Sequence, residues 1–199
     1  MKKPAFLLLP LLFIFFSFSF ENDWKLVVDK EGIKIYTKKE EGAKVLATRV
    51  VMDLSMSVEE VRSRVMDVGN HKDWMNTVVT SDLLRKEDNG IMVSYYVADV
   101  PWPVTDRDIV LIWESSKEGN MTVIKSKQIT GEKPEVDGKV RVPYQDNYYK
   151  LTPLPNGGCH FDYVGKADPG GSLPSWLANM FVTDVPFKTW KKFKEKFEK

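Results

Sequence analysis

Apolar residues recur at two periods along this chain, and the places where one period gives way to the other mark out its elements. Alternation of apolar and polar positions predicts strands over Trp24–Asp29, Ile33–Lys38 and Lys44–Leu54, with a hairpin turn at Lys30-Glu31-Gly32 between the first two. Val58, Val61, Val65 and Val68 then fall at helical spacing. Ser57, with Glu60 three residues on, forms a capping box, so a helix should run from Val58 to about Val68 and end near Gly69. From Thr77 alternation returns. It predicts strands over Thr77–Arg85, Ile91–Val100, Arg107–Ser115, Met121–Thr130, Gly138–Thr152 and Cys159–Ala167. Short turns rich in Gly, Asn and Asp separate them, as at Asp88-Asn89-Gly90, which implies antiparallel neighbours. Asp168-Pro169-Gly170-Gly171 breaks the last strand. Beyond it Leu173, Trp176, Leu177, Met180, Phe181, Phe187, Trp190, Phe193 and Phe197 recur at three- and four-residue steps, the mark of one long amphipathic helix, broken or kinked around Pro186.

An architecture follows from these elements. An antiparallel sheet of roughly nine strands must curl or close. A long helix with a wide apolar face must bury that face on something. Laying it across the concave side of the sheet satisfies both, in an α+β domain whose bulky residues enclose an internal cavity. Counting by twos from Trp113, the inward set on its strand is Leu111, Ile109 and Arg107.

The first residues have a different character. Lys2 and Lys3 precede an apolar run from Ala5 to Phe16, and Ser17 and Ser19 place small residues before a cleavage point after Ser19. Residues 1–19 therefore read as a secretory signal peptide, with an uncleaved membrane anchor as the alternative, and residues 22–199 as the single domain. Export implies a periplasmic or extracellular site. Cys159 is the only cysteine, so no intrachain disulfide can form and stability must come from packing. The chain is 43% hydrophobic and 12% aromatic, enough for a sizeable core. With 29 Lys+Arg against 28 Asp+Glu, no global field for nucleic acid exists.

Catalytic and metal chemistry find little support. There is no G-x-S-x-G elbow, and the only histidines, His71 and His160, sit in no catalytic motif. Cys159 and His160 are adjacent, so a strand would point them to opposite faces, and no metal-ligand spacing occurs. No catalytic residue, metal or cofactor is assigned. The lysines from Lys188 to Lys199 are a solvated helix end, with a membrane-docking patch as the rival reading.

The segment Val100 to Val110, V-P-W-P-V-T-D-R-D-I-V, sets Trp102 between two prolines and Arg107 between two aspartates. The prolines make Val100–Pro103 a stiff, extended corner. Pro101-Trp102-Pro103 through Arg107-Asp108, together with Gly170-Gly171-Ser172-Leu173-Pro174-Ser175-Trp176-Leu177-Ala178-Asn179, resembles the START domains, the steroidogenic-acute-regulatory-related lipid transfer family. Asp73-Trp74 is a third, weaker match, and the resemblance spans about Trp24 to Phe197.

The resemblance implies a helix-grip fold, a curved antiparallel sheet wrapped around a long C-terminal helix with a hydrophobic tunnel between. It implies a non-enzymatic protein that binds a lipid, sterol or other hydrophobic molecule, with transfer of that ligand as a further expectation. The Trp102 loop and C-terminal helix would gate the tunnel and touch membranes transiently. The expected ligand-binding set is Tyr95, Val97, Trp102, Ile109, Leu111, Trp113, Tyr144, Tyr148, Leu177, Met180 and Phe181, with Trp102, Leu177, Met180 and Phe181 at the entrance. Some sterol-binding relatives carry an acid and a base at positions that align with Val97 and Trp113, so that ion pair is missing here. The alternative is a helix-grip enzyme of the polyketide cyclase or hydrolase type, with Tyr95, Tyr144 or Asp99 as acid–base groups in the same cavity. A third reading is a module that binds through its surface.

Overall fold

Strand residues that alternate in burial build a single sheet whose inner face meets the C-terminal helices. The computed structural model describes residues 23–39 and 46–198. The signal peptide or anchor expected over residues 1–19, and Lys44 and Val45 at the expected start of the third strand, lie outside the described residues.

The strands are β1 (Lys25–Lys30), β2 (Ile33–Lys38), β3 (Ala47–Leu54), β4 (Val78–Lys86), β5 (Met92–Ala98), β6 (Arg107–Glu118), β7 (Met121–Gln128), β8 (Val140–Arg141), β9 (Tyr144–Pro153) and β10 (Cys159–Asp168). They pair in the order β1-β2-β3-β10-β9-β7-β6-β5-β4, every neighbour antiparallel, and β8 lies parallel to β6 off this path. The expected strand Gly138–Thr152 is two, because Pro143 has no N–H to donate and closes the short β8. Both outermost strands are bulged, β1 between Leu26 and Val28, and β4 near Val78 and again near Leu83.

Helix α1 (Val58–Val65) has the capping box: the Glu60 N–H donates to Ser57 Oγ and the Ser57 N–H to Glu60 Oε2. It is shorter than expected. A 3₁₀ turn over Val68–Asp73 follows and carries Trp74 into the core. The C-terminal segment forms α2 (Ser175–Val182) and α3 (Asp184–Phe197). The break comes at Thr183 rather than at Pro186, which sits in the first turn of α3. The cause is still the proline. It offers no N–H to the carbonyl four residues earlier and crowds it. That carbonyl, on Val182, instead accepts a hydrogen bond from Thr48 Oγ1 on β3, at 3.3 Å. The break thus ties the helix pair to the sheet.

The core is aromatic where α3 crosses the sheet. Trp190 packs on Phe161 with ring centroids 4.5 Å apart, and on Trp74 and Phe193 at 5.5 and 5.6 Å. Beside this plug, between the sheet and the α2–α3 junction, the packing opens.

Candidate functional site

The opening is a cavity of about 280 Å³. One wall is Tyr96 and Ala98 of β5 with Arg107, Ile109, Leu111 and Trp113 of β6. The other is Gln145, Asn147 and Tyr149 of β9 with Tyr163, Gly165 and Ala167 of β10. Phe181, Val182, Val185, Pro186, Thr189 and Trp190 close it from the helices. Gly165 makes room: a Cβ there would stand 2.1 Å from the Tyr163 hydroxyl, so only glycine lets that ring lie back against its own strand.

Polar groups in and under the walls are mostly paired with one another. The Tyr163 hydroxyl donates to Asn147 Oδ1 at 2.9 Å, and Asn147 Nδ2 donates to Ser126 Oγ at 2.9 Å. Desolvation pushes the Tyr163 and Tyr149 phenols up, so both stay protonated. The Trp113 indole N–H donates to Ser94 Oγ at 2.8 Å. His71 is fully buried among Trp74, Tyr96 and Trp113. Its Nε2 is 2.9 Å from the Val65 carbonyl, which can only accept, so Nε2 carries the proton and Nδ1 accepts from the Tyr96 hydroxyl at 2.9 Å. Burial lowers its pKa to about 4, so the ring is neutral at physiological pH.

Arg107 and Asp108 open β6 but serve different ends. Asp108 is buried and takes a bidentate pair from Arg141, Nε to Oδ1 and Nη2 to Oδ2, both 2.9 Å. Burial works against the carboxylate's charge, yet Arg141 and a hydrogen bond from Tyr95 hold its pKa below the usual range. Arg107 is 5% exposed and makes no such pair. Its guanidinium donates only to backbone carbonyls, Thr105 from Nη1 and Gly170 from Nη2, the latter at 3.4 Å. The Nε–H has no partner.

Of the expected binding residues, the structure brings Ile109, Leu111, Trp113 and Phe181 together on the cavity wall. It places the others elsewhere. Tyr95 and Val97 alternate to the far face of β5, where they pack with Val93 and Val110 beneath the loop carrying Val136. There the Tyr95 hydroxyl donates to Asp108 at 3.1 Å, and burial with that carboxylate pushes the phenol up to about 12. Tyr144 and Tyr148 are out of phase with the inward set Gln145, Asn147 and Tyr149. Leu177 is buried and Met180 half-buried, but neither is in the lining. Trp102, before the cis Trp102–Pro103 bond, is 92% exposed and stands apart from the cavity. Tyr95, Tyr144 and Asp99, the acid–base candidates of the enzyme reading, are all absent from the described lining. On β5 it is Ser94 and Tyr96 that meet Trp113, by a hydrogen bond and a ring contact, while Val97 lies on the far face. Among the described residues no group of three or more His, Cys, Asp or Glu could hold a metal.

Comparison with known proteins decides the family. The START domain model matches residues 19–199. The chain belongs to the START domain family. An uncharacterized protein of Pseudomonas aeruginosa is 36% identical over 179 residues, covering 89% of this chain and 88% of that protein. The phosphatidylcholine transfer protein of Bos taurus is 27% identical over 162 residues, covering 78% and 75%. The crystal structure of a STAR-related lipid transfer protein from Xanthomonas axonopodis superposes with a TM-score of 0.82 at 32% identity, covering 89% of this chain and all of that one. The large curved antiparallel sheet with its C-terminal helix is the START fold expected from the sequence.

Proposed function

We propose that this START domain binds one lipid or similar hydrophobic molecule in the cavity between sheet and helices, and carries it rather than transforming it. The observation that carries this reading is the cavity itself, about 280 Å³ and walled largely by aromatic and aliphatic side chains, in a chain similar to a phosphatidylcholine transfer protein. A buried chain of ~14 methylenes gains roughly 11 kcal/mol at ~0.8 per CH₂, and immobilisation offsets only part of that. Tyr163, Asn147, Gln145 and Trp113 of the walls are engaged in hydrogen bonds within the protein, which favours holding over proton transfer.

Two finer parts belong to the same proposal. Transfer needs a membrane contact, and Trp102 and Trp176, exposed at 92% and 53%, are large aromatics that could enter a membrane interface. Residues 1–19 act as an export signal and place the domain in a periplasmic or extracellular space. Among the described residues no helix is long and apolar enough to cross a membrane.

The test is native mass spectrometry of protein purified from its source, followed by uptake of fluorescent fatty acid, sterol and phospholipid. Leu111→Trp fills the cavity from β6 and should abolish uptake while the near-UV circular dichroism stays folded. No co-purified lipid and no uptake by the wild-type protein would overturn the reading.

A further inference from the structure

Arg107 lies on the cavity wall and, among the described residues, makes no direct ion pair, with Asp106 attracting it only at longer range. Asp108 beside it also borders the cavity, but its carboxylate is committed to Arg141 and Tyr95. Asp106, on the other side, accepts from the Val100 N–H at 3.1 Å and makes no ion pair with Arg107. Among the described residues no carboxylate lies within ion-pairing distance of the Arg107 guanidinium. It sits almost wholly out of water, with two neutral carbonyls and one N–H that meets nothing.

Burying a cation this way is unfavourable unless an anion joins it. The fold does not treat the position as an accident. The loop Asp168–Gly171 is folded down onto the guanidinium by two consecutive glycines at positive φ, 69° and 62°. A Cβ on Gly170 would press against Pro143, Val140 and the Arg141 carbonyl at 3.1–3.3 Å, so the cover fits only without a side chain. Gln145 and Lys166 also belong to the lining. From there the inward residues of β6 run Arg107, Ile109, Leu111, Trp113, polar at one end and apolar after it. The six steps from Arg107 to Trp113 span about 20 Å, the reach of a common acyl chain.

We propose that the cavity takes an anionic amphiphile, its phosphate or carboxylate oxygens on the Arg107 guanidinium and its chain laid along Ile109 and Leu111 toward Trp113. This rests on the lipid-binding reading and adds the charge and direction of the ligand. The oxyanion supplies what the guanidinium lacks, since carboxylate and phosphodiester oxygens match its planar fork.

The test uses delipidated full-length protein and four probes of matched chain: palmitate, hexadecanol, dipalmitoylphosphatidylglycerol and dipalmitoylglycerol, with inorganic phosphate as a chainless anion. Affinities come from native mass spectrometry and displacement of a fluorescent fatty acid. Charged probes should bind about tenfold to a hundredfold more tightly than their neutral partners, the range of a charge-assisted hydrogen bond. The ratio of palmitate to phosphatidylglycerol identifies which oxyanion the site prefers. Arg107→Gln should erase the preference, so that palmitate and hexadecanol bind that variant alike, whereas Arg107→Lys should keep part of it. Equal binding of charged and neutral probes by the wild-type protein overturns the proposal whether or not the variants fold, and so does a preference that survives Arg107→Gln. Phosphate bound as tightly as the amphiphiles overturns the role given to the chain. Failure of every probe to bind overturns instead the lipid reading beneath it.

Discussion

His71 should make this domain lose stability in mild acid, and the size of the loss can be worked from its surroundings. The ring is buried, donates from Nε2 to the Val65 carbonyl and accepts at Nδ1 from Tyr96. Protonation would oblige Nδ1 to carry a hydrogen aimed at a phenol that already points its own hydrogen inward, and would place a charge among Trp74, Tyr96 and Trp113. The folded-state pKa is accordingly about 4 against 6.5 for a free histidine. Between those values the unfolded chain binds the extra proton and the native state does not, so stability falls as pH falls. It is full above pH 6.5, declines through the window and levels out near pH 4. The difference corresponds to about 3 kcal/mol, a large share of the ~5–15 kcal/mol of an ordinary domain. His71→Gln keeps one donor and one acceptor in place without a titrating ring. Urea unfolding followed by tryptophan fluorescence at several pH values between 7 and 4 should show wild type and variant diverging in their pH dependence. The difference between them cancels what every other titrating group contributes. A wild-type minus variant difference that stays constant across the window would refute the reasoning, as would an NMR titration of His71 near 6.5.

Other outcomes follow from single contacts. Asp108→Asn leaves Arg141 without its bidentate partner in a largely buried site and should lower unfolding stability by about 3 kcal/mol, read from urea melts. Thr48→Val strips the Val182 carbonyl of its only substitute donor at the helix break and should cost about 1 kcal/mol, with an increase in amide hydrogen exchange at the α2–α3 junction. Gly165→Val drives the Tyr163 ring off its strand into the cavity and should reduce ligand uptake more than it reduces melting temperature. Trp102→Ser removes an exposed ring with little packing, so melting temperature should stay within a degree or so while vesicle association, measured by co-sedimentation, falls.

Strand period carried most of the architecture into the sequence, because a sheet with one buried face repeats its chemistry every second residue. On β6 the count from Trp113 through Leu111 and Ile109 to Arg107 gives the inward face the structure has. The same reasoning fails on β5, where all of Met92 to Val97 is buried. With both faces apolar, alternation cannot say which is which. The loop over Gly131–Asp137, which reads as a simple turn, covers the second face and takes Tyr95 and Val97 with it. On β9 the inward set includes Gln145 and Asn147, whereas the expected Tyr144 and Tyr148 lie on the opposite phase of the strand. Tyr149 would have fixed the phase by period alone. The helix break lies three residues before Pro186 because a proline disturbs the carbonyl of the preceding turn, not its own position. The lack of a direct ion pair at Arg107 has no sequence signal, since Asp106 and Asp108 flank it and only geometry shows that each carboxylate bonds elsewhere.

The bulges in β1 and β4 have a consequence for how the molecule behaves in a crowd. Among the described residues the nine-strand path of the sheet ends in two borders, and both show apolar side chains to solvent: Leu26 and Val27 on one, Val79, Leu83 and Leu84 on the other. Straight borders of that composition would be templates for adding strands from another molecule, end to end without limit. An extra residue in the border strand throws its free N–H and C=O groups out of register with any incoming partner. The bulges therefore act with the border charges to keep the sheet finite, and straightening either one should promote edge-to-edge association of the domain.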